Sequence, residues 1–345
     1  MRNGLDPGLH TDMIGPVFRV AVKGFQKRRV TGKTAEQQAP GPHRAWKTLC
    51  GLTMPWSVTK TPGPDAMELF VILVVLGSAV LHAVWNAIIK GGDDKLIETA
   101  MKTGGGALTA LCVIPFVPLP LPECGIFIAA TVCIHIFYYL FIAYAYRGAD
   151  LSYAYTIMRG ASPLFTGLFS VFILHEVFPG SGWAGIVLLS AGVLILATDA
   201  LRRGSFNLQA TMFALANAFV IMGYSLVDGH GVRHSGNAVS YICWVNICNF
   251  FPITLYTIMV RRQGYFHYVK RRWKYGLFGG TCSLVAYGLA LWGMTKAPIA
   301  MVAALRETSV VFGMLFAILF LKERATPARL VSVLLVLAGA AVMRL

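Results

Sequence analysis

A bilayer's hydrocarbon core is about 30 Å thick and takes roughly 20 residues of helix to cross. Apolar runs of that length recur along this chain at about 69–89, 97–117, 124–146, 151–174, 181–198, 207–227, 238–260, 275–295, 298–321 and 327–344. Backbone in hydrocarbon must satisfy its own hydrogen bonds, so such runs are expected to be helices. The composition agrees: 13% of the residues are charged, against about 25% in a soluble domain. The predicted fold class is an all-α polytopic membrane protein with ten transmembrane helices. The breaks between runs carry turn chemistry, among them "KGGDDK", "RGAD", "FPGSG", "DGHGVRHSGN", "RRQGYFHYVKRRWK" and "KAP".

The ten runs divide into two sets of five. Residues 143–198 align without a gap on 290–345 at an offset of 147, with eleven identical pairs, including Arg159/Arg306, Ser162/Ser309, Glu176/Glu323 and Gly192/Gly339. Runs 1 and 6 correspond more loosely, "GSAVLHAVWN" against "ANAFVIMGYS". Five is odd, so a second copy enters the membrane from the opposite side. The expectation is two inverted five-helix repeats, at 67–200 and 205–345, with a substrate site near the midplane between them.

Residues 1–66 hold ten Lys/Arg against four Asp/Glu and no long apolar run. They are expected to be a basic, disordered extension lying ahead of a functional start at Met67. After residue 66, fourteen Lys/Arg fall in loops on one side and three, Arg233, Lys296 and Arg344, on the other. The positive-inside rule places the fourteen in the cytoplasm and both ends of the ten-span body outside. In a chain of this composition the net charge of +15 is read as membrane orientation, and no nucleic-acid partner is expected. No CxxC pair or His/Cys spacing implies a metal or a disulfide framework.

Three charges, Arg159, Arg306 and Glu307, stand deep inside their runs. Arg159 and Arg306 each lie eight residues into theirs, or ~12 Å deep. A charge at that depth costs at least ~2.5–3.5 kcal/mol and marks a functional position by default. Guanidinium presents a planar fork suited to a carboxylate or phosphate. The alternative is a structural brace. Glu307 has no counterpart, since Gly160 occupies its partner position. It points about 100° away from Arg306 on the helix and should not pair closely with it. It either carries a proton or neutralises Arg159. His82, Trp85 and Asn86 share one face at i, i+3, i+4, and Tyr155, Tyr224 and Tyr287 complete the candidate substrate-binding set. Glu176 and Glu323 precede runs 5 and 10 and are read as structural helix-end residues. Thr326-Pro327 reads as an N-cap followed by proline at the first helical position. The glycines of "KTGGGA" are read as permitting close helix packing.

Several of these stretches resemble the EamA type of the drug/metabolite transporter superfamily. "SPLFTGLFSVFILHE" resembles that family's proline, apolar stretch and terminal glutamate, and "SVVFGMLFAILFLKE" repeats it with Val310 where Pro163 stands. "LHAVWNAIIK" resembles its first helix, and "LLSAGVLILA" and "VLLVLAGAAVM" its fifth and tenth. The resemblance implies a secondary active transporter, an exporter of a small organic metabolite or drug-like solute, working by alternating access in a cavity between the repeats. The expected partners are that small molecule and the lipid bilayer, with a proton as candidate coupling ion, in a monomer or homodimer of the cell's inner membrane. No cofactor and no catalytic residue is expected. The rival classes are an intramembrane enzyme and a lipid-handling membrane protein. The sequence has no HExxH, no GxSxG and no Asp pair within the apolar runs for the enzyme.

Overall fold

The computed structural model describes residues 67–145, 151–201, 206–321 and 326–344, and its regular elements there are helices. The first six are α1 (Leu69–Lys90), α2 (Lys95–Val113), α3 (Gly125–Ala145), α4 (Leu151–Leu174), α5 (Gly180–Leu201) and α6 (Leu208–His234). A long helical segment then turns at Arg262 (φ 37°, ψ −110°), giving α7 (Ala238–Arg262) and α8 (Gly264–Met294). The last three are α9 (Ile299–Arg306), α10 (Ser309–Leu321) and α11 (Pro327–Val342).

Among the described residues, seven helices are long and apolar enough to cross a membrane: α1 and α3 through α8. The other expected runs depart from that pattern for local reasons. The 19-residue α2 carries Lys95, Glu98 and Lys102. The run expected at 298–321 is broken in two. The final helix is short, at 16 residues. Large apolar side chains such as Phe116, Phe172 and Leu334 are exposed, as a lipid-facing surface requires and a soluble one rarely tolerates.

Three boundaries correct the sequence reading. Run 6 was expected to end at 227, with "DGHGVRHSGN" as a loop, yet α6 continues to His234. The turn comes only at Ser235-Gly236, where Gly236 has φ +72°, a conformation glycine adopts freely. Most of the basic stretch before run 8 is helix, because α8 begins at Gly264 and the break narrows to Arg262. Run 9 divides at Glu307-Thr308. There Glu307 N donates to Ala304 O (3.0 Å) and Thr308 N to Leu305 O (3.2 Å), a tighter i→i−3 pattern. Other expectations hold locally: Thr326 Oγ1 accepts from Arg329 N at 3.3 Å, with Pro327 first in α11. The tight turn expected between runs 3 and 4, the segment 1–66 and Glu323 lie outside the described residues.

The packing that positions the interior runs through glycines. A Cβ on Gly105 of α2 would meet Gly276 O of α8 at 2.2 Å, and one on Gly280 of α8 would meet Gly106 N at 2.3 Å, so these backbones touch directly. The reading of "KTGGGA" as a packing surface is met. A second glycine seam joins α5 to α11: a Cβ on Gly339 would lie 2.9 Å from Gly185 O, and one on Gly192 3.1 Å from Ser332 O. These two contacts exchange under the offset of 147, since Gly185 maps to Ser332 and Gly192 to Gly339. Elsewhere α3 packs on α6, α4 on α5 and α6, and α1 on the α7–α8 segment, while α9 touches α1, α4 and α5.

Candidate functional site

The break between α9 and α10 places Arg306, Glu307, Thr308 and Ser309 at the centre of the bundle, all buried. Neither glycine nor proline interrupts "ALRETSVV". What meets the break is a side chain from another helix. Arg159 of α4 reaches Glu307 Oε2 with its Nε at 2.5 Å and donates from Nη2 to Ser309 Oγ at 3.1 Å. One guanidinium therefore holds both sides of the discontinuity.

Arg159 Nη2 also lies 3.2 Å from Nε2 of His82 on α1. Guanidinium only donates, so Nε2 must be the accepting nitrogen of the imidazole. The His82 ring stands edge-on to Trp85 at 4.7 Å between centroids, and the Lys102 ammonium of α2 sits 4.8 Å above Trp85. Asn86 donates to His82 O in its own helix (2.8 Å), so it supports α1 and is not drawn to the arginines. Tyr155 lies beneath Arg159, 5.9 Å from its guanidinium carbon.

Arg306 is held differently. Its Nη2 donates to Tyr224 Oη at 3.3 Å, and its guanidinium carbon is 5.8 Å from the Tyr224 ring and 5.5 Å from the Tyr287 ring, the geometry of a cation over aromatic faces. Glu307 Oε1 is 3.8 Å from Arg306 Nη2, so these sequence neighbours touch loosely and the carboxylate's close partner is Arg159, as the helical angle implied. Among the described residues Arg306 Nε has no hydrogen-bond partner, and neither has Trp85 Nε1. Buried donors without acceptors each cost about 1–3 kcal/mol. His135 of α3 bonds Thr131 O of its own helix (2.9 Å) and stacks on Tyr224.

Glu176 is a helix-end residue, but of a different helix than expected. It caps α9, not α5: both carboxylate oxygens accept from Ile299 N, at 3.1 and 3.0 Å. The chain leaves α4 through His175 at φ 52°, with Glu176 N bonded to Ser170 O, which turns the glutamate away from its own helix. Arg233 at the end of α6 pairs with it at 2.7 Å and donates to Met294 O (2.7 Å) and Ala297 O (3.0 Å). Four helix ends thus meet at one clasp.

Two buried carboxylates escaped the sequence reading. Glu98 of α2 binds Tyr268 Oη at 2.8 Å and Arg272 Nε at 2.6 Å. Asp228, taken for a loop residue, is fully buried in α6. Its signal was present, since a carboxylate followed by residues that continue a helix is still at membrane depth, but the glycines on either side of His230 concealed it.

Fold and site together define an integral, multi-pass, all-helical membrane protein with a charged centre between its helices. Residues 208–345, which span α6 through α11, match the sequence model of the EamA-like transporter family. No curated protein matches the chain. A solved crystal structure shares the fold, with a TM-score of 0.60 at 18% identity over 79% of this chain and 94% of that one.

Proposed function

We propose that this chain is a secondary transporter of the inner membrane, built of ten spans in two inverted five-helix repeats, which exports a small organic anion by alternating access. The α5–α11 contacts that exchange under the 147-residue offset support the repeat. The observation that carries the substrate class is the state of Arg306. It is 2% exposed, lies beside two tyrosine rings, has Nε unpartnered, and shares one carboxylate with Arg159.

Two guanidiniums against one carboxylate leave a positive charge uncompensated within the centre. A substrate carboxylate would supply the missing acceptors, and Tyr155, Tyr224 and Tyr287 would flank its apolar portion. Glu307 holds Arg159 in the empty state and yields to the incoming anion. The break between α9 and α10 gives this centre a joint at which the two half-helices can tilt.

The test is a thermal-shift screen of the purified chain against benzoate, glutamate, malate and phenylalanine, each paired with its methyl ester. Any stabilising acid is then followed into proteoliposomes as a radiolabelled solute. Stabilisation by an acid and not by its ester supports the reading. Equal responses to both, or no accumulation by the vesicles, would refute it.

A further inference from the structure

Asp228 is the buried ionisable group that the proposed mechanism does not use. Its carboxylate is fully buried and accepts hydrogen bonds from three helices. Thr131 Oγ1 of α3 donates at 2.5 Å, Tyr241 Oη of α7 at 2.9 Å, and Tyr287 Oη of α8 completes the set. Among the described residues no cation forms an ion pair with it. The charged or titratable groups that face it are Tyr241 from α7, Tyr287 from α8, His135 from α3 through the Thr131 carbonyl, and Arg306 of α9 from across the Tyr287 ring.

We propose that Asp228 is a proton-binding site that couples movement of the solute to a proton gradient. Glu307 is poorly suited to that task, because a proton there competes with two guanidiniums. Around Asp228 every partner is a hydroxyl, which can either donate or accept. The ionised carboxylate takes three donors. The protonated acid gives its O–H to one hydroxyl after that hydroxyl rotates, and keeps accepting from the others. The network is satisfied in both states, but bonds to a charged acceptor are roughly twice as strong as neutral ones. Proton arrival therefore loosens the ties of α3, α7 and α8 to α6.

Tyr287 carries the change to the substrate centre, since its hydroxyl binds Asp228 while its ring lies beside Arg306. Access is short. Asp228 lies six positions before His234 at the end of α6, or about 9 Å of helix, and half-buried His230 lies between. A metal ion fits less well. Held by oxygens at about 2.3–2.6 Å, as calcium is, it would push apart oxygens that already touch through their hydrogens.

The inference rests on the transport reading for its purpose, but proton binding can be measured without any solute. The experiment is pH-difference infrared spectroscopy of the full chain in lipid nanodiscs over roughly pH 5–9, where buried carboxyls are known to titrate. A carboxylic-acid band that disappears as pH rises is expected in the wild type and in Glu307→Gln, and its loss is expected in Asp228→Asn. Should Asp228→Asn fail to fold, Tyr287→Phe keeps the acid and removes one hydrogen bond, so the band must change frequency. A titrating band that persists in Asp228→Asn, its loss in Glu307→Gln, no frequency change in Tyr287→Phe, or no titrating acid at all would each overturn the assignment. So would a carboxylate response to added sodium at fixed pH. In pyranine-loaded vesicles, Asp228→Asn should lose solute-driven pH change while retaining solute exchange. If the wild type moves no solute, the transport reading fails and the spectroscopic result still decides whether Asp228 binds a proton.

Discussion

Arg159 Nε and Glu307 Oε2 lie 2.5 Å apart, with side chains only 5% and 2% exposed. The arginine comes from the middle of α4 and the glutamate from the break between α9 and α10, so the pair fastens the discontinuity to another helix. Removing one partner of a buried pair costs about 3–5 kcal/mol, mostly by stranding the other charge, whereas replacing both with apolar groups is often tolerated. Arg159→Met and Glu307→Met should each destabilise strongly. The double variant should cost less than the sum of the singles by up to about 3 kcal/mol. Reversible unfolding in mixed micelles measures the cycle, and simple additivity would show that the two charges act independently.

The glycine seam between α2 and α8 gives a prediction that depends on packing alone. At Gly105 a Cβ would come within 2.2 Å of a backbone oxygen, while one on Gly77 of α1 would meet nothing within 4 Å among the described residues. Gly105→Ala should destabilise by about 1–3 kcal/mol through overpacking. Gly77→Ala should instead stabilise by about 0.5–1 kcal/mol, because alanine loses less backbone entropy in a helix. Melting temperatures of the two variants should move in opposite directions. A common direction would mean that the α2–α8 approach is looser than described.

Much of this architecture was legible because its causes are local. Helix positions follow from apolar length, the α2 packing face from "GGG", and the importance of Arg159 and Arg306 from their depth and repetition. What stayed hidden has causes distant in the chain. The α9–α10 break has no glycine or proline to announce it and coincides with contacts from Arg159, 147 residues from its matched partner Arg306. Glu176 looked like the cap of the helix that follows it, but the turn at His175 sends it to α9. Asp228 was masked by neighbouring glycines that favour loops in general yet are helical here, where Gly229 abuts Ile299 and Gly231 abuts Tyr241.

The clasp at Glu176 and Arg233 contrasts with the surface pair Asp93 and Arg271. In the clasp the side chains are 9% and 10% exposed. In the surface pair they are 77% and 59% exposed. Arg233→Ala strips Glu176 of its counter-charge and leaves the Met294 and Ala297 carbonyls without their donor, so a loss of about 3–5 kcal/mol is expected. Arg271→Ala should cost no more than about 1 kcal/mol. Chemical unfolding of both variants, run at low and high salt, separates them further. Only the Arg271 pair should respond to salt, because exposed charges are screened and buried ones are not.

Arg306→Lys is the most direct test of the charged centre. Lysine keeps the positive charge, so electrostatic balance with Glu307 is retained and the fold should survive. What it lacks is the planar fork of donors and the flat face that stacks on aromatic rings. Arg306 uses both: Nη2 binds Tyr224 Oη at 3.3 Å and the guanidinium lies beside the Tyr224 and Tyr287 rings, leaving Nε unpartnered. If that donor receives the substrate anion, Arg306→Lys should melt within a few degrees of the wild type but lose the ligand-induced thermal shift and most accumulation in vesicles. Loss of a bidentate charge-assisted contact of about 1.5–3 kcal/mol corresponds to a weakening of affinity by roughly 10- to 150-fold. Arg159→Lys provides the comparison, because Arg159 already spends its donors on Glu307, Ser309 and His82 and its replacement should cost stability first. Wild-type ligand response and transport in Arg306→Lys would make both arginines structural braces.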